Sequence, residues 1–262
     1  MESSVHFAEG RLADALAAQT EHVKKTPLDV DGRGLLADLL CFAGDLERAD
    51  LQLAALEKQV PEAAPTIALR RQLVRAEVWR QESITAGRVP DFLGAPSEGL
   101  SLHLKALVEL REGREGEAAD LLAQAEELRP KLAWKHAGQS VSDVRDADDT
   151  TAGFLEVLTS TGKLLWVPLE RILNLEPHAP ERARDLLWRR ASLRIEDGPE
   201  GEVFLATIYA PTPKGEAARL GRATDWTESD PIRGTGQRTL LVGDEAIPML
   251  ELGTLEREVS AP

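Results

Sequence analysis

Apolar positions in the first half of the chain recur at helical spacing. Between Asp29 and Phe42, Leu35, Leu36, Leu39 and Leu40 fall on one helical face, and Leu46, Leu53 and Leu56 with Ala49 do the same on the next segment. Three- and four-residue spacing marks an amphipathic helix, so the two segments predict helices that pack as a hairpin. Ile67, Leu73, Val74 and Trp79 carry the spacing through Ala64 to Ala86, as a degenerate repeat or one long helix. Arg88 to Pro96 is rich in turn formers and predicts a loop before a helix starting near Ser97.

The pattern changes after Pro130. Ser140 to Thr151 is polar and predicts a solvated linker, and from Phe154 short apolar runs alternate with turns. Phe154 to Thr159 and Lys163 to Val167 predict one hairpin across Ser160 to Gly162, and Leu169 to Leu175 a short helix or a continuation. Trp188 to Ile195 and Glu202 to Tyr209 predict a second, turning through Asp197-Gly198. Further strands are expected at Ala217 to Thr224, Arg238 to Val242 and near Ala246 to Leu255. The expected fold is α+β: tetratricopeptide-like helical hairpins over residues 1–139, a linker at 140–152, and a mostly antiparallel, barrel-like β domain over 153–262.

A repeat underlies the helical half. Gly10, Gly44 and Gly113 are each followed five residues later by Ala15, Ala49 and Ala118, and seventeen residues later by Pro27, Pro61 and Pro130. Glycine ends a helix in the left-handed cap, alanine lets two helices approach closely, and proline closes the second helix. Stacked helical hairpins present a curved groove whose usual occupant is a peptide or helix of another protein.

The second half carries longer strings. Trp166-Val167-Pro168-Leu169-Glu170-Arg171-Ile172, Arg184-Asp185-Leu186-Leu187-Trp188-Arg189-Arg190-Ala191 and Asp197-Gly198-Pro199-Glu200-Gly201-Glu202-Val203 stand in order. Leu220 to Trp226 and Gly236 to Glu245 complete the series. Together they resemble the ImpE/SciE/TagJ family of type VI secretion accessory proteins. The resemblance implies a cytoplasmic, non-catalytic adaptor that binds the small subunit of the contractile sheath, through that subunit's N-terminal helix, and modulates sheath disassembly and recycling by the ring ATPase.

Composition narrows the alternatives. A net charge of -14, with both halves acidic, argues against nucleic acid as partner, because displacing counterions from phosphates needs a basic surface. No apolar run approaches the length of a membrane span, and Met1 to Gly10 lacks the pattern of a secretory signal. The single cysteine, Cys41, sits in an apolar run as a core thiol. Five scattered histidines supply no metal-ligand spacing, and the aspartates at 143, 146, 148 and 149 do not match a calcium loop. Arg233-Gly234-Thr235-Gly236-Gln237 lacks the lysine of a phosphate loop. No catalytic, cofactor or metal residue is assigned.

The candidate partner-binding residues are Trp188, Arg189, Arg190, Asp225 and Trp226. Arginine and tryptophan dominate interface hot spots, and Arg182, Arg184 and Arg194 lie close by in sequence. The competing reading for the same residues is structural, with arginines pairing to aspartates inside the sheet. A small hydrolase or phosphatase using carboxylates and arginines of the second half, and a self-associating scaffold, are the alternative functions.

Overall fold

The computed structural model describes residues 2–258. Seven helices fill the first half: α1 (Glu2–Ala8), α2 (Leu12–Lys25), α3 (Val30–Phe42), α4 (Leu46–Gln59), α5 (Ala64–Thr85), α6 (Glu98–Arg111) and α7 (Glu115–Leu128). The repeat frame explains three hairpins. Gly10, Gly44 and Gly113 adopt φ of 84°, 78° and 73°, and the next residue's N–H donates back five residues, Arg11 to His6, Asp45 to Leu40 and Arg114 to Glu109, each at 2.9 Å. This closure satisfies the last carbonyls of the first helix and turns the chain into the second. Ala15, Ala49 and Ala118 have no exposed surface, as close helix packing requires. The stretch between the second and third hairpins is one long helix, α5.

The second half holds β1 (Trp134–His136), β2 (Gln139–Val141), β3 (Val144–Asp146), β4 (Phe154–Leu158), β5 (Leu164–Pro168), β6 (Ile172–Pro177), β7 (Trp188–Ile195) and β8 (Glu200–Ala206). A short helix α8 (Glu216–Arg219) follows, then β9 (Thr224–Trp226), β10 (Gly234–Gly236), β11 (Thr239–Val242), β12 (Glu245–Pro248) and β13 (Leu255–Arg257). Antiparallel pairing builds an eight-stranded sheet in the order β2-β1-β13-β6-β7-β8-β4-β5, with smaller sheets β12-β11-β3 and β10-β9.

The fold is α+β as expected, but the large sheet stays open instead of closing like a barrel. Its β5 edge is occupied by loop backbone: Asp91 N–H donates to the Leu164 carbonyl at 2.9 Å, and Trp166 N–H donates to the Asp91 carbonyl at 3.1 Å. The opposite edge ends on the three-residue β2.

Two local expectations are corrected. The strand expected at Ala217 to Thr224 begins as α8, whose Ala218 and following Leu220 are buried; Leu220 packs with Leu12, Leu39 and Phe42. A few apolar residues do not separate one helical turn from a strand. The stretch 140–152 is solvated only at its start, where Ser140 and Ser142 are exposed; from Val144 it forms β3, and Asp146 and Asp148 are buried. Their carboxylates replace water with backbone donors, Asp146 accepting from Asp148 N–H at 2.9 Å and Asp148 accepting from Gly234 and Thr150 N–H, both at 2.8 Å. Neighbouring Asp149 accepts from Ile232 N–H at 2.8 Å.

One face of the large sheet packs on the helices. Leu158, Trp188, Phe204 and Ala206 share a core with Leu36, Leu40, Cys41, Leu53 and Leu73, while Ala191, Leu193 and Leu205 join Leu240, Val242 and Met249 in a second core. Helices and sheet are therefore joined through a continuous interior.

Candidate functional site

Trp188 and Arg189 begin β7, and the structure buries both, at 4% and 6% exposure. Trp188 donates its indole N–H to Glu77 Oε2 of α5 at 3.1 Å. Arg189 donates to the carbonyls of Met249, Leu252 and His178 at 2.6, 3.0 and 2.9 Å, tying β7 to the chain that follows β12 and to the end of β6. As contacts for a partner these two are corrected: they hold the interior. Arg190 is exposed and lies 3.4 Å from Glu202, and Asp225 and Trp226 are exposed on β9, with Trp226 edge-on to Tyr209 at 5.8 Å. The five do not gather into one patch.

Glu77 belongs to a buried ionic seam between α5 and the sheet. Arg80 donates to Glu77 at 2.9 Å and to Glu156 of β4 at 3.2 Å; Arg238 reaches Glu156 at 2.6 Å and Asp146 at 3.1 Å; Tyr209 Oη donates to Asp146 at 2.7 Å. Burial pushes the Glu156 carboxyl up, but the Arg238 and Arg80 guanidiniums outweigh it and hold the group below its ordinary value. Burial wins at Asp146, which is raised, and at Asp148, pushed up to about 6 by burial and by the Asp146 charge. Unpaired charge here would be costly, so the seam locks helices to sheet.

A different arrangement lies on the outside of α5. An open groove of about 670 Å³ is lined by Leu46, Glu47, Asp50 and Leu51 of α4, by Gln72, Val74, Arg75, Val78 and Trp79 of α5, and by Arg88 and the Thr161 to Lys163 turn between β4 and β5. Each wall has a local cause. Gly162 adopts φ of 81°, and its bare Cα lets the turn settle over Gln72, where a Cβ would lie 2.3 Å from Oε1. Trp79 is fixed by its indole N–H donating to the Val89 carbonyl at 3.0 Å, and the Arg88 guanidinium lies over its ring at 4.1 Å. Arg88 is itself steadied by Glu82 at 2.8 Å.

The groove floor is apolar and its rim charged. Leu51 is 60% exposed, pointing away from the buried stripe Leu46, Ala49, Leu53 and Leu56 of its own helix. Arg71 donates to both oxygens of Asp50, at 2.7 and 2.9 Å, and holds that carboxyl below its ordinary value. Lys163 pairs with Asp91 at 2.9 Å. A two-sided surface of this kind, apolar at the centre with charges around it, suits the apolar face of an amphipathic helix. Sequence reasoning missed it because the residues come from α4, α5 and a distant hairpin turn. Leu51, off its helix stripe, was the readable signal.

The comparisons with known proteins agree with this architecture. A family model described as ImpE protein matches residues 138–256. The type VI secretion system accessory component TagJ of Pseudomonas aeruginosa is 32% identical over 253 residues, covering 95% of this chain and 88% of that protein. The crystal structure of protein VPA1032 from Vibrio parahaemolyticus superposes with a TM-score of 0.94 at 30% identity, covering 99% of this chain and 98% of that one.

Proposed function

The chain belongs to the ImpE family, and from that premise we propose that it is a non-catalytic, cytoplasmic accessory protein of a type VI secretion system that binds a helix of the contractile-sheath small subunit. The observation that carries the reading is the α4–α5 groove, whose exposed Leu51 and half-buried Trp79 and Val78 offer an apolar bed. Occupying that bed would couple the adaptor to the sheath and so modulate its disassembly and recycling. The carboxylates and arginines that a hydrolase would require from the sheet half, Glu156, Asp146 and Arg238, are engaged with one another inside the seam, which weighs toward binding. The strongly acidic chain disfavours nucleic acid, and no described helix is long and apolar enough to cross a membrane.

The test is co-elution in gel filtration of the purified chain with the sheath small subunit encoded in the same gene cluster. Co-elution with the intact subunit, and its loss when the subunit's N-terminal helix is removed, is the expected result. Separate elution of the intact subunit would overturn the reading.

A further inference from the structure

Two charges on the rim of the groove form no ion pair among the described residues, although Arg75 lies near enough to Asp50 to help lower its carboxyl. Among the described residues, Glu47 of α4 has no ion-pair partner, and Arg75 of α5 is exposed and reaches only the Gln72 amide oxygen, at 3.4 Å. The other rim charges are already matched within the fold: Asp50 by Arg71, Arg88 by Glu82 and Lys163 by Asp91. An apolar floor alone would accept any greasy helix in either direction. Two unmatched charges of opposite sign on neighbouring helices make the surface directional, because only one orientation of an occupant places an acid at Arg75 and a base at Glu47.

Resting on the helix-binding reading above, we propose that the groove selects its occupant by charge: an amphipathic helix of a partner subunit whose apolar stripe covers Leu51, Val78 and Trp79, with a carboxylate on one edge for Arg75 and a basic side chain for Glu47. The groove-lining stretch of α5, Gln72 to Trp79, spans roughly 10 Å at 1.5 Å per residue, so the bound segment is about two turns long. Two turns place apolar anchors at i, i+3 or i+4, and i+7, with the charged residues flanking them. Arg88 over the Trp79 ring must be contacted or moved aside, so the indole reports on occupancy.

The probe is a fluorescently labelled peptide of the N-terminal helix of the sheath small subunit, titrated into the full chain at low salt and followed by anisotropy. Arg75→Glu is expected to weaken binding at least tenfold, and a peptide with one acidic residue replaced by lysine should recover most of that loss on the Arg75→Glu chain only. Glu47→Lys should behave in the mirror sense with a basic-to-acidic peptide. Both positions are exposed, and unchanged circular dichroism would show that the variants fold. If Arg75→Glu, Glu47→Lys and Leu51→Asp all bind the peptide as tightly as the parent, the groove assignment is wrong while the adaptor reading stands. If Leu51→Asp abolishes binding but no charge-reversed peptide recovers the reversed rims, charge selection is wrong. Failure of the parent chain to bind either peptide or intact subunit would overturn the adaptor reading and this inference together.

Discussion

The seam and the groove use the same residue types on opposite sides of α5. In the seam, Trp188, Arg80, Arg238 and three carboxylates are buried and bonded to one another. In the groove, Trp79, Arg75, Arg88, Glu47 and Asp50 surround an exposed leucine, and two of the charges have no ion-pair partner among the described residues. One α-helix supplies both, since Glu77 and Arg80 face inward while Arg75, Val78 and Trp79 line the groove. Residue type therefore does not mark a binding surface; unmet bonding capacity at an open surface does. Charges paired in low dielectric stabilise one arrangement, whereas unpaired rim charges in water cost little and remain available.

Substitutions on the two sides should separate stability from binding. The largest effect is expected from Glu156→Ala, which leaves Arg80 and Arg238 facing each other in the interior. Urea unfolding should show a loss of roughly 3–5 kcal/mol. A loss under 1 kcal/mol would mean that the seam does not lock the two halves. Next is Gly113→Ala: open space surrounds the position, so the cost is that of a left-handed alanine, roughly 1–2 kcal/mol by the same measurement.

The pH dependence sharpens the seam side. Asp148 is raised from 3.8 to about 6, so the folded state holds its proton below that pH whereas the unfolded chain does so only below 3.8. Its contribution to stability therefore rises as pH falls through about 6 toward 4. Glu156 and Asp50 are lowered, and their stabilisation is lost only when pH falls below the ordinary carboxylate range. Between pH 7 and pH 5.5, Asp148 alone contributes an increase of about 1 kcal/mol in unfolding free energy, opposed by His103, which burial lowers to about 4 and which therefore destabilises the fold as pH falls through 6.5. The parent protein should accordingly lose less stability over this range than Asp148→Asn, by about 1 kcal/mol. An equal change in both proteins would show that Asp148 does not carry the effect. On the groove side, Leu51→Asp should change stability by no more than about 0.5 kcal/mol, with its whole effect appearing in binding.

Much of this was readable from the chain. The Gly-Ala-Pro frame located the three helical hairpins because each residue answers one geometric need, a left-handed cap, a close approach and a stop. Phe154 to Val167 and Trp188 to Ile195 were legible as strands from runs of apolar, β-branched and aromatic residues. The strands Trp134–His136, Gln139–Val141 and Val144–Asp146 were not, being three residues long and set among polar ones. Asp146 and Asp148 misled because an aspartate serving buried backbone donors reads like one facing water. Trp188-Arg189-Arg190 offered equal grounds for surface and interior, and only the covering helices and the segment around Met249 decide for Trp188 and Arg189. The groove was beyond reach, since Leu51, Val78 and Lys163 meet only in three dimensions.

The central claim is that the α4–α5 groove holds a helix of the sheath small subunit. Calorimetric titration of the full chain, and of its Val78→Asp variant, with the N-terminal helical peptide of that subunit tests it most directly. The account predicts saturable one-to-one heat with the parent chain, and none with a variant whose circular dichroism is unchanged. Absence of heat with the parent, or equal affinity in the variant, would contradict it.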